Sequence, residues 1–124
     1  MNEGYKGLKV YRLAYECAME IFHLSKKFPK EETYALTDQV RRSSRSVCAC
    51  IAEAYRKRMY PKHFTSKLTD ADGECAETIV HLSFAFDCSY IELSTHDSLV
   101  SKYNEVGRML GGMITNPEKF APKT

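Results

Sequence analysis

A chain of 124 residues with 44% hydrophobic and 27% charged side chains is sized for a single domain around a single core. No apolar run approaches the ~20 residues that cross a bilayer, and the opening stretch MNEGYKGLKVYRLAYE lacks the unbroken apolar segment of a secretory leader, so a cytoplasmic protein with no membrane partner is expected. The net charge of +2 and isoelectric point near 8.2 fall short of a strongly basic nucleic-acid-binding domain, which usually exceeds about 9.

The first helical periodicity runs from about residue 8 to 27. Leu8, Tyr11, Ala14, Tyr15, Ala18, Ile21, Phe22 and Ser25 share one face, and Lys9, Arg12, Glu16, Glu20 and His23 form the polar stripe. Val10, Leu13, Cys17 and Leu24 widen the apolar arc beyond the ~100° that one packed layer occupies. The surplus makes these four residues candidates for a subunit interface. Phe28-Pro29 stops the helix, because proline disfavours helical geometry in the residue before it.

A second helix is expected over 36–58, LTDQVRRSSRSVCACIAEAYRKR, with Thr37 as N-cap and Asp38 at the positive end of the helix dipole. Leu36, Val40, Ser43, Val47, Ile51 and Ala54 form its core face. Arg41, Arg42, Arg45 and Arg56 lie on the other side, and Arg56, Lys57 and Arg58 crowd the last turn, where the dipole favours cations.

Pro61 suits the first turn of a third helix over 61–90. Its core face is Phe64, Leu68, Ala71, Cys75, Ile79, Leu82 and Phe86, while Val80 and Phe84 project away from it as further interface candidates. Ser94-Thr95-His96-Asp97 has the pattern of a capping box for a fourth helix over 95–115, buried through Leu99, Tyr103, Val106, Leu110, Met113 and Ile114. Asn116-Pro117 ends it, and the aperiodic tail 117–124 is expected to be mobile. Four helices with short connections give an all-α fold, an antiparallel up-and-down four-helix bundle.

Charge is distributed in blocks. Residues 40–67 hold eight Lys or Arg against Glu53 alone, and residues 68–97 hold seven acids with no Lys or Arg. Arginines along the second helix suit bidentate contacts to phosphate, which makes Arg41, Arg42, Arg45, Arg56, Lys57 and Arg58 nucleic-acid-binding candidates. The competing reading pairs them with Asp70, Glu74 and Glu77, inside the bundle or across a subunit interface.

Catalytic and metal chemistry find little footing. The five cysteines include no C-x-x-C pair, and Cys48 and Cys50 sit two apart on a helix, about 200° from each other. Glu74, Glu77 and His81 share a stripe, but the paired Glu-x-x-His motifs of a di-iron bundle are absent. The serines at 43, 44 and 46 have no nucleophile-elbow context, and no glycine-rich phosphate loop occurs. A non-enzymatic protein without cofactor or metal is expected.

The segment FPKEETYALTDQVRRSSRSVCACIAEAYRKR resembles the four-helix proteins encoded by intervening sequences in bacterial large-subunit ribosomal RNA genes. The likeness is carried by Phe28-Pro29, Glu32, Tyr34, Leu36-Thr37, Gln39, Arg41-Arg42, Ser46 and Ile51-Ala52-Glu53. Leu8, Val10, Ala14 and Arg108-Met109-Leu110 extend it over roughly 8–114. The chain departs from the family's Asn-Ile-Ala-Glu-Gly at Cys50 and Ala54. The resemblance implies a homopentameric barrel, an adaptor of unsettled molecular activity, and similarity to the accessory protein of diversity-generating retroelements. That similarity in turn implies RNA, or an RNA-processing enzyme such as a reverse transcriptase, as a partner.

Overall fold

The computed structural model describes residues 4–122, and the first three residues of the leader reading, with 123–124 of the tail, lie outside them. Four helices, α1 (Lys9–Ser25), α2 (Leu36–Arg56), α3 (Pro61–Asp87) and α4 (Leu93–Thr115), are joined by short connections. Short 3₁₀ turns occupy Gly4–Gly7, Lys30–Glu32 and Pro117–Lys119, and the described residues include no strand. Helix α1 packs on α2 and α4, and α3 packs on the same two. The bundle is therefore a square in which α1 and α3 stand at opposite corners.

Side-chain size decides which part of the broad apolar arc of α1 enters the core. Val10, Ala14, Cys17 and Ile21 are buried, whereas Tyr15 and Met19 are 52% and 41% exposed. Small Ala14 and Cys17 fit the crowded centre, where Tyr103 of α4 is 1% exposed. This corrects the expectation that Val10 and Cys17 face a subunit interface, because both belong to the core of their own chain. Leu13 and Leu24 are half-buried against it. The surplus stripe exists, but it consists of Tyr11, Tyr15, Met19 and Phe22.

Helix α2 places Leu36, Val40, Ser43, Val47, Ile51 and Ala54 in the core. The Thr78 hydroxyl of α3 lies 2.8 Å from Ser43 Oγ and 2.8 Å from the Glu74 carbonyl. Small side chains let the two backbones approach, and this buried hydroxyl pair satisfies itself there. On α3, Thr78 and Ala85 are fully buried, whereas Ile79 and Phe86 are only partly so.

Helix ends depart from the expected capping. Neither Thr37 nor the Ser94–Asp97 segment supplies a side-chain cap, since α2 begins at Leu36 and α4 at Leu93. The Leu36 N–H instead donates to Glu32 Oε1 at 3.3 Å, placing a carboxylate at the positive end of α2. The same Glu32 accepts a 2.9 Å hydrogen bond from the Tyr90 hydroxyl, and the Phe28 and Tyr90 rings lie 5.4 Å apart. Helix α3 stops before Tyr90 because Ser89 turns left-handed at φ 65. Ser89 N–H bonds to the Phe86 carbonyl and Tyr90 N–H to that of Ala85, a Schellman closure. Within the tail, Phe120 packs on Phe64 with ring centroids 5.8 Å apart.

Candidate functional site

The cations of α2 divide between its two neighbours. Arg42 binds Glu77 of α3 and lies 3.6 Å from Glu74. Its guanidinium holds the Glu77 carboxyl below the usual carboxylate value, against the opposing effect of partial burial. Arg41 turns toward α1, where its Nε donates to Ser25 Oγ at 2.7 Å and its guanidinium stacks 4.9 Å over Phe22. Arg45 and Lys26 also lie over Phe22, at 5.9 and 4.6 Å. Arg58 folds onto Tyr55 at 3.8 Å and donates to the Tyr55 carbonyl. Of the expected acidic partners, Glu74 and Glu77 meet an arginine. Asp70 instead meets Lys67, which also pairs with Glu53.

Arg45, Arg56 and Lys57 have no carboxylate within ion-pair distance among the described residues. Arg45 borders a cleft of ≈ 270 Å³ between α1 and α2, lined also by Tyr15, Ala18, Met19, Phe22 and Cys48. Arg56 and Lys57 belong to one end of the bundle. Alternating helix direction brings the starts of α1 and α3 together there with the ends of α2 and α4. Lys6, Lys9, Arg12, Arg58, Lys62 and Lys119 join them, against only Glu53 and Glu118 among the described residues. The opposite end carries Glu31, Glu32, Asp38, Asp87, Glu92 and Asp97 together with Lys26, Lys27 and Lys30.

The profile of the 23S rRNA-intervening sequence protein family matches residues 6–112, spanning all of α1 to α3 and most of α4. The chain belongs to this family. A crystal structure of a protein of unknown function from the S23 ribosomal protein family of Bacteroides thetaiotaomicron superposes on it with a TM-score of 0.77. The two are 27% identical, over 86% of this chain and 95% of that one. No curated protein matches the chain.

In this intervening-sequence protein the segment that carries the resemblance has a structural role at two points. Phe28 and Glu32 anchor the α1–α2 connection to Tyr90, and Glu32 caps α2. Cys50 and Ala54, where the chain departs from the family pattern, are both buried, at 7% and 0% exposure.

Burial pushes the thiols of Cys17 and Cys75 up to about 12 and that of Cys48 to about 11, so these side chains remain protonated and packed. His96 lies between Asp97 at 3.0 Å and Ser83 at 3.4 Å, a serine–histidine–acid series. The Ser83 hydroxyl is bonded at 3.1 Å to the Ile79 carbonyl within its own helix, and the Asp97 side chain is 65% exposed. Among the described residues no group of three or more His, Cys, Asp or Glu is placed to hold a metal. No helix is long and apolar enough to cross a membrane.

Sequence reasoning missed the α1–α2 cleft. Its signal was present in Tyr15, Met19 and Phe22, which continue beyond a core stripe already complete with Val10, Ala14, Cys17 and Ile21.

Proposed function

We propose that this protein is a self-assembling, non-enzymatic adaptor in which the α1–α2 cleft of one copy receives the outer face of α3 of the next. The supporting observation is the diagonal placement of two exposed apolar stripes. Tyr15 and Met19 mark one corner of the square, and Val80 and Phe84, 52% and 57% exposed, mark the opposite one. Patches of this kind on different faces of a soluble protein mark interaction sites. Two different surfaces meeting head to tail generate a ring when the rotation closes. Five copies is the number that the family resemblance implies.

Charge supports the same pairing. Arg45 at the cleft and Asp87, one turn beyond Phe84, both lack an ion-pair partner among the described residues. Complementary charges at an interface select orientation and partner. The test is a charge swap followed by light scattering. Arg45→Asp should weaken association by about tenfold or more, and adding Asp87→Arg in the same chain should restore it. Failure of the double variant to recover would reject this pairing.

The basic bundle end favours a second role, binding the phosphate backbone of a structured RNA, alone or together with an RNA-processing enzyme such as a reverse transcriptase. The family's name, which refers to 23S rRNA, agrees with this. Replacing Arg56, Lys57 and Lys62 by Ala should lower RNA affinity and flatten its salt dependence, by about 0.7–0.9 in log–log slope per lost phosphate contact. The same change at Arg41 and Arg42, which are engaged within the bundle, should leave the slope unaltered. Equal slopes for wild type and the bundle-end variant would exclude this end as the RNA surface.

A further inference from the structure

A second concavity, separate from the α1–α2 cleft, opens between the start of α1, the end of α4 and the 3₁₀ turn after it. Its volume is ≈ 370 Å³, within the range of small-molecule sites. Leu8, Met109, Met113 and Phe120 supply apolar walls, and its only charged lining residues among the described ones are Lys9 and Lys119. Neither lysine has an ion-pair partner among the described residues.

Gly112 forms part of the lining. A glycine inside a helix costs about 1 kcal/mol relative to alanine, so a packing reason is expected for it. None is present among the described residues, because a Cβ built at Gly112 meets no atom within 4 Å; the same holds at Gly111, and what sets Gly112 apart is that it lines the concavity. The missing side chain instead leaves the concavity open. Methionines at 109 and 113 add adaptable walls, since their unbranched thioethers reshape around apolar guests.

Apolar walls with two ammonium groups and no lining carboxylate among the described residues select a guest with a hydrocarbon body and one anionic head. We propose that this site binds a medium-chain free fatty acid, its alkyl chain along Met109, Met113 and Phe120 and its carboxylate facing Lys9 and Lys119. The volume suits one chain rather than the two of a phospholipid. Nothing in the α1–α2 cleft or the α3 stripe takes part, so the site is independent of assembly.

Titration calorimetry of the full chain with sodium decanoate below its micellar concentration tests the proposal. One decanoate per protomer should bind saturably, and 1-decanol should bind at least tenfold more weakly. Lys9→Gln with Lys119→Gln should remove that preference for the carboxylate. Gly112→Leu should abolish binding while circular dichroism shows an intact helical fold. Absence of saturable binding, equal binding of decanol, or undiminished binding by folded Gly112→Leu would each overturn the assignment. Should Gly112→Leu fail to fold, the lysine variant and the decanol comparison still decide the outcome.

Discussion

At the centre of the bundle the Tyr103 hydroxyl is buried without a hydrogen-bond partner among the described residues. Its immediate electrostatic neighbours are the thiols of Cys17, Cys75 and Cys48, one from each of the other three helices. Burial drives the phenol far above its ordinary value, so it stays neutral. An unsatisfied buried hydroxyl costs roughly 1–3 kcal/mol in desolvation, while the ring fills the layer that the small Ala14 and Cys17 leave open. Tyr103→Phe keeps the ring and removes the orphan group. Urea unfolding should show it more stable than wild type by about 1 kcal/mol, and a loss of that size would reveal a partner for the hydroxyl. This layer was only half legible in the sequence. Periodicity placed Tyr103 and Cys75 in the core, but it ranks residues by polarity and is blind to size. It therefore assigned Tyr15 to the core and Cys17 to an interface, whereas volume at the bundle axis required the reverse; Tyr11 packs on the core in part.

At the scale of the helix, α2 carries two kinds of arginine. Arg42 is tied to α3 through Glu77 and Glu74, and Arg45 faces the cleft. Block charge made an acidic partner visible in the sequence. It did not reveal which arginines would find one, because that depends on angular offsets of a few tens of degrees around the helix. The Arg42–Glu77 pair also has a definite pH dependence. The folded carboxyl of Glu77 is held below its unfolded value, so its contribution is present at neutral pH and is lost as pH falls through the folded value. The pair is partly exposed, with side chains 45% and 39% accessible, which limits its worth to about 1 kcal/mol or less. Glu77→Gln should therefore be slightly less stable than wild type at pH 7 and equal to it near pH 2. A stability difference that persists in acid would assign the effect to packing. The connection before α2 behaves differently. Glu32 was recognisable as a residue of the family signature, but its bond from the Tyr90 hydroxyl joins positions 58 apart in the chain. No local pattern discloses such a partner.

For the whole molecule, the up-and-down topology converts a linear charge pattern into a spatial one. Cations from the beginning, middle and end of the chain gather at one end of the bundle, and the diagonal corners of the square carry apolar stripes. Four helices and their order were legible from periodicity and proline positions, with boundaries displaced by no more than three residues. The two stripes required the structure, since their opposition follows from which helices touch and not from where they lie in sequence. Self-association through these corners is the central claim, and light scattering on the purified, unmodified protein at micromolar concentration tests it most directly. Ring assembly should give a discrete species several times the 14.2 kDa mass of one chain, near 70 kDa for the five copies that the resemblance implies. A single species of 14.2 kDa would contradict it.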